Sequence, residues 1–227
     1  MVGPENRKKI IHEVASILTE RYNDFAHHNK KNPLEELFFI LCSVRTNKVG
    51  YHATYQAFRK EFPRFEMVAE ASAEYIAKPL VAGGLAKQKS IALKKAMDMI
   101  VEHFGRPTLT PLRTMTDSEC EQFLTALPGV GKKVARCVML YSLGRQVFPV
   151  DSHCWRICRR LGWVRRTTRE QKPSPKDMDR LQAKIPPRLR FSLHVNLVSL
   201  GRDICLPRKP ICHVCPIEIY CKKVFAK

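Results

Sequence analysis

No stretch of this chain approaches the ~20 consecutive apolar residues that a membrane-spanning helix needs, so the sequence offers no segment to place across a bilayer. Strand-like alternation of apolar and polar residues is scarce, and internal repeats and low-complexity tracts are missing, which excludes solenoids, propellers and disordered arrays. Nothing at the N-terminus reads as a secretory leader, and the nine cysteines are an odd total, so thiols in a reducing compartment are expected rather than a disulfide framework. Acidic residues are also in short supply. Only 21 Asp and Glu face 40 Lys and Arg, a net charge of +19, and residues 151–227 alone carry 18 basic against 6 acidic side chains. Such an excess implies a polyanionic partner bound with strong salt dependence; it says nucleic acid without saying enzyme.

What is present is mostly helical pattern. The 227 residues allow one large or two small domains with a respectable core. Ile10, Ile11, Val14, Ile17 and Leu18 share one helix face; Leu37, Phe38, Ile40 and Leu41 belong to a buried helix after Pro33; Tyr51, Tyr55 and Phe58 mark another. Further helices are expected over 74–81, 87–103, 117–127, 132–143, 152–161, 176–184 and 188–201, and a surface loop over 165–175, where charge and Pro173 and Pro175 concentrate.

Two places carry chemistry. In the first, Pro128 and Gly129-Val130-Gly131 interrupt a helix that begins near Asp117, and the apolar run from Val134 to Tyr141 starts another. Glycines allow positive φ and close approach of another molecule, and the N–H groups at the new helix start form a phosphate site. At about 100° per residue, Lys132 projects beside Arg136 as a polar stripe suited to phosphates, whereas Lys133 projects towards Cys137 and Leu140. Burial and the positive helix end both disfavour an ammonium, so the pKa of Lys133 is expected to fall from about 10.4 towards neutrality, making it a candidate nucleophile. Asp151 follows Phe148-Pro149-Val150 and reads as an N-cap, with Gly162 ending its helix. A carboxylate held that way is ionised and fixed, as a charge stabiliser must be.

The second place is Cys205, Cys212, Cys215 and Cys221, four cysteines within seventeen residues, interleaved with Pro207, Pro210 and Pro216. This is a metal-held loop by its residue types, and spacing alone leaves zinc and a cubane iron-sulfur cluster both open. The other five cysteines, at 42, 120, 137, 154 and 158, lie in apolar helical stretches and are expected to be core thiols.

The hairpin with Lys133, the eighteen-residue interval to Asp151 and the C-terminal cysteines together resemble the endonuclease III branch of the helix-hairpin-helix DNA glycosylases. The resemblance implies an all-α, two-domain fold: a six-helix barrel over residues 34–148 and an iron-sulfur cluster domain made of 1–33 and 149–227, with Lys133 and Asp151 in the cleft between them. It implies a bifunctional base-excision enzyme for duplex DNA with a damaged or modified pyrimidine, acting as a monomer without a membrane. It would reside in the cytoplasm, with the nucleoid, in a bacterium and in the nucleus in a eukaryote. Lys133 would attack the sugar C1′ and form a Schiff base that undergoes β-elimination, and Asp151 would stabilise the oxocarbenium ion. The cofactor would be a [4Fe-4S] cluster on all four loop cysteines, a structural group that presents Arg208 and Lys209 to DNA. The hairpin (Gly129, Val130, Gly131), Lys132 and Arg136 would meet phosphates, while Leu85 and His153 match residues that fill the gap left by a flipped base.

Two stretches depart from that pattern. Where the family commonly has a glutamine that enters the void, this chain has Val44, with Arg45 or Asn47 nearby as substitutes. Phe148-Pro149-Val150-Asp151 with Arg160-Leu161-Gly162-Trp163-Val164 resembles the plant 5-methylcytosine-excising glycosylases, so a mismatch or 5-methylcytosine glycosylase is the alternative. An alternative of another class is a DNA-binding or redox-sensing module without chemistry. Such a module needs neither an amine facing an apolar side nor a carboxylate at that interval.

Overall fold

The computed structural model describes residues 4–25, 28–43, 50–164 and 172–223. Among these are eleven α-helices, short 3-10 turns and no strand. The chain divides into two compact units, Asn29–Arg145 and a second composed of Met1–His28 with Gln146–Lys227.

The continuous unit holds α2 (Pro33–Ser43), α3 (Gly50–Glu61), α4 (Phe65–Glu70), α5 (Ala73–Ala77), α6 (Ala86–Phe104), α7 (Asp117–Ala126) and α8 (Lys132–Leu143). Its core is aromatic and aliphatic: Phe38, Phe58, Phe62, Leu93 and Met97 are fully buried, and Phe58 sits 5.2 Å from Phe62 between ring centroids. The expected helix over 74–81 stops being α-helical at Ala77 and continues as a 3-10 turn, Lys78–Gly83, because Pro79 lacks the N–H the α ladder needs. The short α4 was not foreseen. Thr116, one residue before the expected start, caps α7 in a capping box with Glu119.

The split-sequence unit holds α1 (Pro4–Tyr22), α9 (Ser152–Arg160), α10 (Pro175–Lys184) and α11 (Arg190–Asp203). Leu18, Phe148, Trp155, Leu193 and Leu197 anchor its core. The boundaries fall at 28/29 and 145/146, a few residues before the expected 33/34 and 148/149. Side-chain chemistry explains the offset. Glu36 of α2 takes hydrogen bonds from the Asn29 side chain and, at 2.6 Å, from the Lys30 N–H, which ties residues 29–32 to α2. On the other side, Phe148 is buried in the split-sequence core, and its N–H donates to Gln182 Oε1 at 2.7 Å.

Candidate functional site

The hairpin between α7 and α8 is built by burial. Val134, Ala135, Cys137, Val138 and Met139 are buried and fix α8, while Leu127 and Val130 anchor the turn. Gly129 has φ +81°, and a Cβ there would lie 3.2 Å from the Ala92 Cβ, so glycine is required twice over. Gly131 has ordinary φ, and no atom lies within 4 Å of where its Cβ would be. Its value is therefore an unobstructed N-cap: no side chain caps α8, and the helix start faces outward at exposed Gly131.

The structure corrects three expectations around the hairpin. Val130 is 6% exposed, so it offers only backbone to a ligand. Arg136 is 2% exposed, with Nε 2.6 Å from Glu121 Oε2, and Lys132 Nζ lies 3.1 Å from Glu121 Oε1. The stripe expected to meet phosphates thus faces α7, because α7 packs on that side of α8 and supplies a carboxylate.

Lys133 stands half-buried at the first turn of α8. Sequence reasoning missed its electrostatic neighbour, Glu36, which is fully buried. Burial pushes the Glu36 carboxyl up from 4.5 to about 7, against the downward pull of its bonds to Lys30 and Asn29 and of the charges on Lys133 and Lys30. A signal existed: α2 is apolar on nearly every side, so a charge at 36 has no face on which to escape water loss.

Leu85 caps the start of α6 in the left-handed conformation (φ 55°, ψ 31°) and is 41% exposed. A leucine held there is strained by roughly 1–2 kcal/mol. The turn is pinned from behind: Lys89 Nζ donates to the Gly83 carbonyl at 2.9 Å, and Thr54 occupies the space a Cβ at Gly83 would need. Val44, Arg45 and Asn47 lie outside the described residues, as do residues 165–171 of the expected surface loop.

In the split-sequence unit, Asp151 is the N-cap of α9, its Oδ1 accepting from the Cys154 N–H at 2.7 Å. Beneath it, the buried Cys154 Sγ contacts His194 Nδ1 at 3.4 Å. His153 is not a free probe: its imidazole packs on Gly201, where any Cβ would collide with it, and Nδ1 lies 3.2 Å from an Arg156 nitrogen. Burial first, then the Arg156 charge, lowers its pKa despite Asp151, so it is held neutral.

Cys205, Cys212, Cys215 and Cys221 line one small cavity. The loop is nearly devoid of regular structure, with two three-residue 3-10 turns, Cys212–Val214 and Glu218–Tyr220. Two arginines of α9, unforeseen in the sequence, hold it. Arg160, 4% exposed, donates to Cys205 Sγ at 3.1 Å and to the carbonyls of Leu206 and Pro207 at 2.7 and 3.0 Å. Arg156 donates to the Cys205 and Gly201 carbonyls. Burial, opposed by backbone N–H groups and reinforced by the neighbouring thiols, pushes Cys215 and Cys221 up. Among the described residues no three His, Cys, Asp or Glu side chains converge as one ion requires. Arg208 and Lys209 are exposed. The other five cysteines are buried thiols outside any disulfide, as core thiols should be.

Comparison with known proteins follows the same lines. Residues 38–184 match the family described as HhH-GPD superfamily base excision DNA repair protein. A candidate DNA glycosylase of Arabidopsis thaliana is 31% identical over 176 residues, 78% of this chain and 58% of that protein, so the chain spans somewhat over half of that relative's length. Endonuclease III of Thermotoga maritima is 28% identical over 216 residues, 94% of this chain and 92% of that one. A solved non-covalent endonuclease III-DNA complex has the same fold, with TM-score 0.79 and 21% identity over 95% of both chains. Among the described residues no helix is long and apolar enough to cross a membrane. The matched residues take in the hairpin, α8 and Asp151, and the chain belongs to the HhH-GPD superfamily of base excision DNA repair proteins.

Proposed function

We propose that the protein is a bifunctional DNA glycosylase and abasic-site lyase that removes a modified pyrimidine from duplex DNA, as a monomer, wherever the genome of its cell resides. The observation that carries this reading is Lys133, half-buried on the first turn of a helix that opens at an exposed glycine, in a chain that matches base excision repair proteins. In this reading the Lys133 amine bonds to C1′ as the glycosidic bond breaks and its electron pair leaves with the base. The amine then loses a proton and its electron pair expels O4′ from C1′, so that the sugar ring opens, O4′ takes up a proton and a protonated Schiff base remains; loss of a C2′ proton follows, and the 3′ phosphate departs. Asp151, a carboxylate fixed by its own helix start, stabilises the positive sugar. Glu36, poised near neutrality and within electrostatic reach of Lys133, favours withdrawal of a proton from that amine. Leu85 enters the duplex where the base has left, its strain supported by the Lys89 clamp.

The loop cysteines fit a [4Fe-4S] cluster. Four thiols ring a common space rather than meet at a point, and a buried guanidinium on Cys205 balances thiolate charge. Cys205, Cys212, Cys215 and Cys221 would hold it, and when bound it supplies a fixed scaffold from which Arg208 and Lys209 meet phosphates.

Borohydride reduction during incubation with abasic-site DNA tests the reaction. A covalent complex that forms with the wild type and is lost in Lys133→Ala supports it; a complex that survives the substitution moves the nucleophile elsewhere. Asp151→Asn should slow excision by about 10²-fold or more. The local likeness of Phe148–Val164 to the plant 5-methylcytosine-excising glycosylases supports a second reading of the substrate, as a mismatched or 5-methylated pyrimidine. A panel of duplexes carrying oxidised, methylated and mismatched bases separates the two.

A further inference from the structure

A second basic feature of the split-sequence unit shares no residue with the hairpin, with Asp151 or with the cysteine loop. It is an open cavity of about 610 Å³, within the ~300–1,000 Å³ typical of ligand sites, where α1 meets the end of α10. Five of its lining side chains are basic, Lys8, His12, Lys184, Arg188 and Arg190, and none is acidic. Lys8 and His12 stand one helical turn apart on α1, so they project from the same face.

The far wall is built so that an anion is not repelled there. The last turn of a helix presents carbonyl oxygens and the negative end of its dipole. Here Arg190 covers that end: Nε donates to the Ile185 carbonyl at 3.0 Å, one terminal nitrogen donates to Gln182 at 3.0 Å, and the other donates to Gln146. Lys184 is fixed beside it, its Nζ donating to the Trp163 carbonyl at 2.6 Å. These two cations are built into the fold, while Lys8 and Arg188 are exposed. Between them, Pro186 and Pro187, carried on the buried Ile185, form an apolar strip that suits the face of a sugar or base and has no use for inorganic phosphate, which would leave most of the space empty.

We propose that this cavity binds the phosphate and sugar of a nucleotide, with Lys8 and Arg188 as the exposed phosphate contacts and the Pro186–Pro187 strip against the sugar or base. The nucleotide belongs either to a DNA strand or to a free mononucleotide, since the recognising chemistry is the same. The inference does not depend on Lys133 being a nucleophile.

The test uses the full-length protein with its native metal content, a short lesion-free duplex, and AMP as the free-nucleotide probe. Lys8→Ala with Arg188→Ala removes the exposed cations, and Ala183→Trp fills the cavity from its rim without altering charge. If a DNA strand occupies the site, the double variant makes the log-affinity against log-salt slope shallower by about 2, and Ala183→Trp weakens duplex binding at low salt. If a free nucleotide occupies it, AMP binds the wild type and both variants lose it, with the duplex slope unchanged. Unaltered duplex binding in both variants together with no AMP binding to the wild type overturns the proposal. Borohydride trapping at saturating abasic DNA should stay at the wild-type level in both variants, so failure here is distinct from failure of the lyase reading.

Discussion

The Leu127–Leu143 stretch and the Cys205–Cys221 loop are both places where backbone is presented for function, yet they are made by opposite means. The first is held by its own apolar side chains and one positive-φ glycine, packed against α7 and α2. The second sends one apolar side chain, Ile217, into the core of its unit, while Val214 and Ile219 are 55% and 83% exposed, and its carbonyls are gripped by arginines reaching out from α9. The contrast teaches that a hairpin can be stable before its ligand arrives. A loop with a single apolar anchor borrows the rest of its geometry from guanidinium groups and, in our reading, from metal.

The comparison breaks first, and most severely, at Arg160. Arg160→Leu leaves the Leu206 and Pro207 carbonyls without their donor inside the unit, at a cost of roughly 2–4 kcal/mol. Thermal unfolding should shift down and bound iron should fall, and limited proteolysis should cut within residues 205–221 while α8 stays intact. Equal loss of protection at α8 would show that the two regions are not independent.

Glu36 is the next largest effect and belongs to the hairpin side. Its folded pKa, about 7, lies above the ordinary 4.5, so the stability tied to its protonation is present in full below pH 4.5 and is lost as pH rises through 7. The difference amounts to roughly 3 kcal/mol. Glu36→Gln, with Asn29 turning its amide to match, should flatten the fall in melting temperature across that window. A fall as steep as in the wild type would place the titration elsewhere.

The glycines sharpen the comparison with the smallest change. Gly129→Ala forces a Cβ into positive φ and onto Ala92, and should cost about 1–2 kcal/mol. Gly131→Ala meets no atom within 4 Å and should leave stability within about 0.5 kcal/mol, yet weaken DNA binding by blocking close approach. Melting curves paired with duplex titrations read both quantities. If Gly131→Ala binds as the wild type does, the exposed helix start is not a phosphate site.

Long helices were legible in the sequence because α6, α8 and α9 each repeat apolar residues at helical spacing over at least two turns. The six residues of α4 are too few for a period to register, and Pro79 converted the end of its neighbour to a 3-10 turn. Asp151 was readable as a cap, since capping is local. Arg136 and Val130 were misplaced for the opposite reason: a helical wheel ranks the faces of one helix but does not say which of them a neighbour covers. Arg160 escaped notice similarly, because its partners lie some 45 residues further along the chain. Sequence alone shows a basic residue in the last turn of a helix, which is ordinarily solvent-exposed.

The most direct measurement is to digest the borohydride-reduced complex with abasic DNA and locate the deoxyribose remnant by mass spectrometry. The account predicts one modified peptide, with the mass increment on Lys133 and an unmodified Lys132. An adduct on Lys132, on the N-terminal amine or spread over several lysines would contradict it.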